Sequence, residues 1–241
     1  MRIAIFSDIH GNIPALEAVL ADIDSRHPDA AYCLGDLVGY APFPNEVVER
    51  IRREGIPTIM GNYDDGVGFD RDDCGCAYRE AEEKRRGDQS LAWTRAQVSA
   101  ENKAFLQRLA HEIRFETDGR RVLLVHGSPR KINEYLYEDR PLSSFQRIAA
   151  SSNADIIVYG HTHKPYTKLV DGVLFVNVGS VGKPKDGDSR ACYAVLDTSS
   201  IAVQFVRVEY DLAKVTAAIR RSELPHEFAT DLEVAGAAVT H

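Results

Sequence analysis

The sequence predicts an α/β fold with parallel strand pairing. Short apolar runs alternate with segments of helical period through the first 60 residues, and several of those runs stop abruptly at Gly, Asp, Asn or His. Alternating strand and helix signals of this kind mark βαβ units. "RIAIF" (2–6) reads as the first strand. Asn12 suits a helix N-cap and Pro14 the first turn, after which Ile13, Leu16, Leu20 and Ile23 recur at helical spacing. "AAYCL" (30–34) reads as a second buried strand, "PNEVVERIRREG" as a helix stopped by Gly55, and "PTIM" (57–60) as a third strand.

Residues 64–98 break the pattern. They are charged and weakly periodic with several glycines, and read as a partly helical insertion. Ser99 then caps a helix carrying Phe105, Leu106 and Leu109. "RVLLV" (121–125) and "DIIVY" (155–159) are buried strands flanking the loop-rich stretch 128–152. "YTKLV" and "VLFVNV" form a hairpin around Asp171-Gly172, and "CYAVL" pairs with "IAVQFVRVEY". Asp211 caps a final helix, and "AGAAVTH" reads as a loose tail, so residues 211–241 form a helix and tail. No internal repeat or low-complexity linker divides the chain, and residues 1–241 are expected to form one domain.

Composition narrows the function. A net charge of −7 argues against a general nucleic-acid-binding surface. "IAIF" is too short for a signal-peptide core, no apolar run reaches the length of a membrane span, and a cytoplasmic location is expected. Cys33, Cys74, Cys76 and Cys192 show no disulfide-framework spacing, which fits reduced thiols in a cytosol. Cys74 and Cys76 read as free loop thiols, with zinc binding as the lesser alternative.

Five strands end in the same manner. The first yields Asp8 and His10, the second Gly35-Asp36, the third Gly61-Asn62, the fourth His126-Gly127 and the fifth Gly160-His161-Thr162-His163. Ligands of open α/β sheets bind outside the carboxyl ends of the strands. On extended backbone Asp8 and His10 would face one side, as would His161 and His163. Buried carboxylates and imidazoles need partners, and metal ions would supply them. Two Asp, four His and one Asn make an oxygen and imidazole set, suiting manganese, iron or zinc more than magnesium. Seven ligands exceed one tetrahedral site and suit two divalent ions sharing a carboxylate. Such a pair leaves surplus positive charge for a phosphate, and metals about 3.5–4 Å apart clamp a phosphoryl group and acidify a bound water.

The ordered set D-x-H (Asp8, His10), G-D (Gly35, Asp36), G-N (Gly61, Asn62), H (His126) and G-H-x-H (Gly160 to His163) resembles the calcineurin-like metallophosphoesterase superfamily. The likeness runs from residue 1 to about residue 197 and is nearest to the small bacterial and archaeal phosphodiesterase branch. It implies a four-layer α/β/β/α sandwich with two mixed β-sheets. It also implies one metal held by Asp8, His10 and His163, another by Asn62, His126 and His161, and Asp36 bridging them, with Asp36, Asn62, His161 and Tyr63 closest to the chemistry. One position departs. The family reads G-N-H-D/E, with the histidine helping to protonate the leaving group, whereas this chain reads "GNYDD" with Tyr63 there. A phenol of pKa about 10 is a poor proton relay near neutrality. The departure therefore favours phosphodiesters, or other esters with good or cation-bound leaving groups, over alkyl monoesters. Alternatively Tyr63 only packs and another group donates.

Substrate contacts are expected from Asn12, Arg130 and Lys183. Asn12 serves equally as a helix cap. Arg130 lies in "PRKINEYLYEDR", whose basic residues and tyrosines fit a nucleotide-containing diester or a solvated surface turn. Lys183 lies in the glycine-rich "GSVGKPKDGD", which lacks the ending of a Walker motif and reads alternatively as a tight turn. His27, His111, His226 and His241 fall outside the strand-end pattern, and Trp93 is expected to pack in a helix. A phosphate-ester small molecule is the expected partner; a homo-oligomer is left open. Competing readings are a scaffold on the same fold with a decayed site, and a metal-dependent phosphomonoesterase or protein phosphatase. Complete ligand positions weigh against the first. "GDLVGYA" in place of G-D-x-x-D-R-G weighs against a protein phosphatase.

Overall fold

The computed structural model describes residues 1–78 and 80–236. Strand β1 (Arg2–Phe6) leads into α1 (Ile13–Arg26), β2 (Ala30–Cys33) and α2 (Pro44–Glu54). Asn12 Oδ1 accepts from the Ala15 amide at 3.2 Å, which caps α1. Gly55, at φ 65°, ends α2 in the left-handed conformation. Helices α3 (Asn62–Gly68), α4 (Ala81–Gln97) and α5 (Ala100–Leu106) follow, and Ser99 Oγ caps α5. Then come β3 (Glu112–Thr117), β4 (Arg120–Val125), α6 (Leu142–Ser152), β5 (Ile156–Tyr159), β6 (Tyr166–Val170) and β7 (Val173–Asn177). The chain continues through β8 (Ala191–Asp197), β9 (Ala202–Val208), α7 (Leu212–Arg221) and α8 (Glu227–Val234).

Two mixed sheets result, one ordered β2-β1-β8-β9 and the other β3-β4-β5-β7-β6. β1 and β2 run parallel, as do β4, β5 and β7. Their inner faces share one core, in which Ile3 and Ile5 meet Val122, Leu124, Ile156, Val158 and Val176. Alternate residues point outward. Ala4 and Phe6 join Leu16, Val19 and Leu20 of α1 and Val47, Val48 and Ile51 of α2. Leu123, Ile157 and Phe175 join Phe145 and Ile148 of α6. The expected α/β/β/α layering is therefore present.

Several elements differ from the sequence reading. "PTIM" forms no strand, because it pairs once with β2 (Cys33 with Thr58) and then switches partner (Ile59 with Ala110). β3 has no counterpart in that reading. It alternates Ile113 and Phe115 against charged residues at a sheet edge and turns into β4 through Asp118-Gly119. Helix α6 lies inside the stretch read as loop-rich, since its serines carry weak helix preference and packing of Phe145 and Ile148 decides it. Asp211 caps α7 through its contact with the Lys214 amide, but α8 follows, so α7 is not the final helix. Of the expected tail, residues 237–241, including His241, lie outside the described residues. Trp93 packs beside the cluster formed by α7 and α8. Among the described residues no helix is long and apolar enough to cross a membrane.

Leu124 is fully buried between the sheets. Leu124→Ala should cost about 2–5 kcal/mol in urea unfolding; a loss below about 1 kcal/mol would contradict a shared core.

Candidate metal centre

The carboxyl ends of β1, β2, β4 and β5 open onto one place. The two sheets are tied there: Val181 and Gly182, in the loop after β7, donate their amides to the carbonyls of Ser7 and Asp8 after β1, each at 2.9 Å. The polar side chains reach the centre from strained backbone. Asp8 (φ 56°), His10 (50°), Asp36 (54°), His161 (64°) and His163 (60°) are all left-handed. This corrects the expectation of extended backbone; these pairs face one point because the chain turns tightly at each of them. Left-handed residues other than glycine cost about 1–2 kcal/mol each, and such strain gathers at functional sites. Gly61 and Gly160 allow the close approach. A Cβ on Gly61 would lie 2.2 Å from the Asp36 amide nitrogen, and one on Gly160 would lie 2.4 Å from Asp8 Oδ2.

Asp8, His10 and His163 form one cluster and Asp36, His126 and His161 another, each with ligand atoms within 4.8 Å of one another. All six residues are buried. Asp8 Oδ1 lies 3.2 Å from His163 Nε2 and 3.8 Å from His10 Nε2. Asp36 Oδ2 stands between the clusters, 3.6 Å from His10 Nε2 and 3.4 Å from His126 Nε2. Asn62 Oδ1 completes the second group, 3.1 Å from His126 Nε2. Each carboxylate keeps one oxygen on the backbone: Asp8 Oδ2 accepts from the His161 amide at 2.9 Å and Asp36 Oδ1 from the Tyr63 amide at 2.8 Å.

The donor set fits cations. His10, His126 and His163 place Nδ1 against the carbonyls of Val38, Leu34 and Lys183 at 3.0, 2.7 and 2.5 Å. A carbonyl only accepts, so each Nδ1 carries a hydrogen, and in the neutral ring each Nε2 turns a lone pair inward. His10 Nε2 and His163 Nε2 then face each other at 3.2 Å as two acceptors. Asn62 is fixed likewise: its Nδ2 donates to the Cys74 carbonyl at 3.1 Å and Cys76 Sγ at 3.3 Å, which turns Oδ1 toward His126. Asp8 Oδ1 and His161 Nε2 are buried without a hydrogen-bond partner among the described residues. A cation in each cluster would relieve all of these contacts.

Titration follows the same logic. Burial, above all, lowers His10 and His161 to about 3. Burial also lowers His163. Burial works against a charged His126, yet Asp36 outweighs it and lifts this histidine to about 9. Burial pushes Asp8 and Asp36 up, and the histidines facing them hold both below the usual carboxylate range.

Around this centre Asp64 has a task that sequence reading did not assign. It is fully buried, and its oxygens accept from the amides of Asp36, Leu37 and Gly61 at 2.8, 2.9 and 3.0 Å. The only signal was its place in "GNYDD". Tyr63 is buried, with its ring edge-on to His10 at 5.4 Å and its hydroxyl unpartnered. Burial raises its pKa well above the ordinary phenol value. A cleft of about 450 Å³ adjoins the centre, lined by Tyr78, Arg86, Tyr135, Tyr137, Lys183 and Lys185 among others. Tyr135 reaches the metal-type residues directly, its ring 4.0 Å from that of His161.

The three expected substrate contacts divide. Lys183 lines the cleft, with Nζ 3.4 Å from Asp231 and over the rings of Tyr40 and Phe228. Burial lowers its pKa to about 8. Asn12 is consumed structurally, capping α1 and donating to the Gly182 carbonyl at 3.1 Å. Arg130 forms an ion pair with Glu134, four residues along the chain.

This fold and this set of converging residues define a metallophosphoesterase, and the model of the calcineurin-like phosphoesterase superfamily domain matches residues 1–200. The chain belongs to that superfamily. It is 35% identical to the uncharacterized protein MJ0912 of Methanocaldococcus jannaschii over 92% of this chain and 93% of that protein. It is 25% identical to the phosphodiesterase YfcE of Escherichia coli K12 over 89% of this chain and 97% of that one. The solved metallophosphoesterase from Sphaerobacter thermophilus aligns with a TM-score of 0.80 at 32% identity, covering 98% of this chain and 99% of that one.

Asp64→Ala strands three buried amides, so it should cost about 3 kcal/mol or more and lower the metal bound per chain. Unfolding and metal analysis of the purified variant check this; wild-type values for both would remove Asp64 from the architecture of the site.

Proposed function

We propose that this protein is a dinuclear metal-dependent phosphodiesterase. Asp8, His10 and His163 would hold one ion and Asn62, His126 and His161 the other, with Asp36 shared. The observation that carries the reading is the single oxygen, Asp36 Oδ2, within 3.6 Å of one inward-facing imidazole and 3.4 Å of another. The oxygen and imidazole set favours manganese, iron or zinc. When bound, two such ions supply Lewis acidity toward phosphoryl oxygens and an acidified water as nucleophile.

The chain's own residues do the rest. The backbone carbonyls of Val38, Leu34 and Lys183 fix the imidazoles, so their lone pairs need no reorientation. Two carboxylates leave a pair of divalent ions with surplus positive charge for a phosphate. Tyr63 offers a buried hydroxyl with no partner, which can donate a hydrogen bond to a leaving-group oxygen but, as a phenol, releases its proton poorly. That favours diesters over alkyl monoesters. The relative YfcE carries the name phosphodiesterase, in keeping with this preference. In the cleft, Arg86 Nε is unpartnered, and Tyr135 and Tyr137 lie nearly parallel, with ring centres 5.7 Å apart and planes at 18°. A cleft that carries a cation and aromatic faces suits a nucleotide-containing diester. The reading treats residues 1–241 as one catalytic unit in the cytoplasm acting on a small molecule rather than on bound nucleic acid.

Hydrolysis of an aryl phosphodiester with added manganese should exceed that of the matching monoester. Asp36→Asn should lower both by more than about a hundredfold, since a shared carboxylate supports both ions; retained turnover would contradict the mechanism. Tyr63→His should raise monoester turnover by about tenfold or more. An unchanged rate would show that Tyr63 does not occupy the proton-donor position.

A further inference from the structure

Cys74 and Cys76 take no part in the chemistry above, yet they stand against it. Their Sγ atoms are 2.9 Å apart, inside van der Waals contact and within about 1 Å of a disulfide bond length. Gly75 between them is left-handed at φ 69°, and a Cβ there would lie 2.1 Å from Asn133 Nδ2, so the turn that brings the sulfurs together requires glycine. The turn is anchored: the Gly75 amide donates to Asp73 Oδ1 at 2.7 Å and Asn133 Nδ2 donates to the Gly75 carbonyl at 2.8 Å. Cys76 lines the cleft and is reachable from solvent, while Cys74 is buried. No third metal-type side chain joins the pair among the described residues, which weighs against a soft-metal site. Both cysteines hold Asn62, one through its carbonyl and the other through its sulfur.

We propose that Cys74 and Cys76 are a reversible oxidation site that controls the second metal cluster by way of Asn62. This rests on the reading of that cluster as a metal site. With a hydroperoxide as oxidant, one cysteine of the pair attacks a peroxide oxygen as its thiolate. The O–O bond breaks, hydroxide leaves, and a sulfenic acid forms. The other sulfur then attacks the sulfur of that sulfenic acid; an S–S bond forms, the S–O bond breaks and water leaves. Two thiols and one hydrogen peroxide give one disulfide and two waters, the sulfurs losing two electrons. Closing the sulfurs from 2.9 Å to about 2.05 Å withdraws the Cys76 acceptor from Asn62 Nδ2. Asn62 then loses one of the two bonds that aim its Oδ1.

The test treats manganese-loaded protein with a small excess of hydrogen peroxide and reads intact mass, free thiols, bound metal and diester turnover before and after dithiothreitol. The expected result is a loss of about 2 Da, a fall from four thiols to two, about one metal ion fewer per chain and at least a tenfold loss of turnover, all restored by dithiothreitol. Cys74→Ser and Cys76→Ser, each compared with its own reduced state, should keep their metal through the treatment. Two outcomes would overturn the proposal: a disulfide that leaves the metal content unchanged, or equal metal loss in the serine variants. Mass, thiol and metal readouts do not depend on turnover, so absence of diesterase activity, which would sink the proposed function, leaves this result readable.

Discussion

Hydrogen-bond acceptors do not face one another in a dry interior unless something positive stands between them, and that constraint governs the open edge of this molecule. Three imidazoles are locked by backbone carbonyls so that their Nε2 atoms converge. Two carboxylates each spend one oxygen on a backbone amide and turn the other toward the same space. Asn62 has its donors occupied and presents only an oxygen. Without a cation the neutral arrangement is repulsive, and Asp36 raises the pKa of His126 accordingly. Cations there would satisfy every group at once.

The fold exists around this edge at a conformational cost. Five left-handed residues other than glycine lie within the metal-type set. What opposes that strain is the packed core between the sheets and the amide contacts binding the loop after β7 to the loop after β1. Asp64 has a matching role farther from the cleft: its buried carboxylate gathers three amides and so fixes the loop bearing Asp36 against the start of α3. The same separation of tasks explains Asn12, whose two polar groups are both spent on holding α1 and the 182 loop.

Much of this was legible from sequence because the strand ends carry their chemistry locally. Asp8, His10, Asp36, Asn62, His126, His161 and His163 each follow directly on an apolar run, and parallel strands deliver their carboxyl ends to one edge. Other features depended on contacts that no local pattern encodes. The register of "PTIM" was lost because its two partners lie on different segments. Helix α6 is made by burial of Phe145 and Ile148 rather than by propensity. The ion pair of Arg130 with Glu134 is another such contact. The left-handed backbone of the ligand loops was equally hidden, since Asp and His adopt both conformations.

The central claim is that two ions share Asp36. Crystals loaded with manganese, measured for anomalous scattering, test it most directly. The account predicts two peaks about 3.5–4 Å apart, one beside Asp8, His10 and His163, the other beside Asn62, His126 and His161, with Asp36 touching both. A single peak, or ions bound away from Asp36, would contradict it.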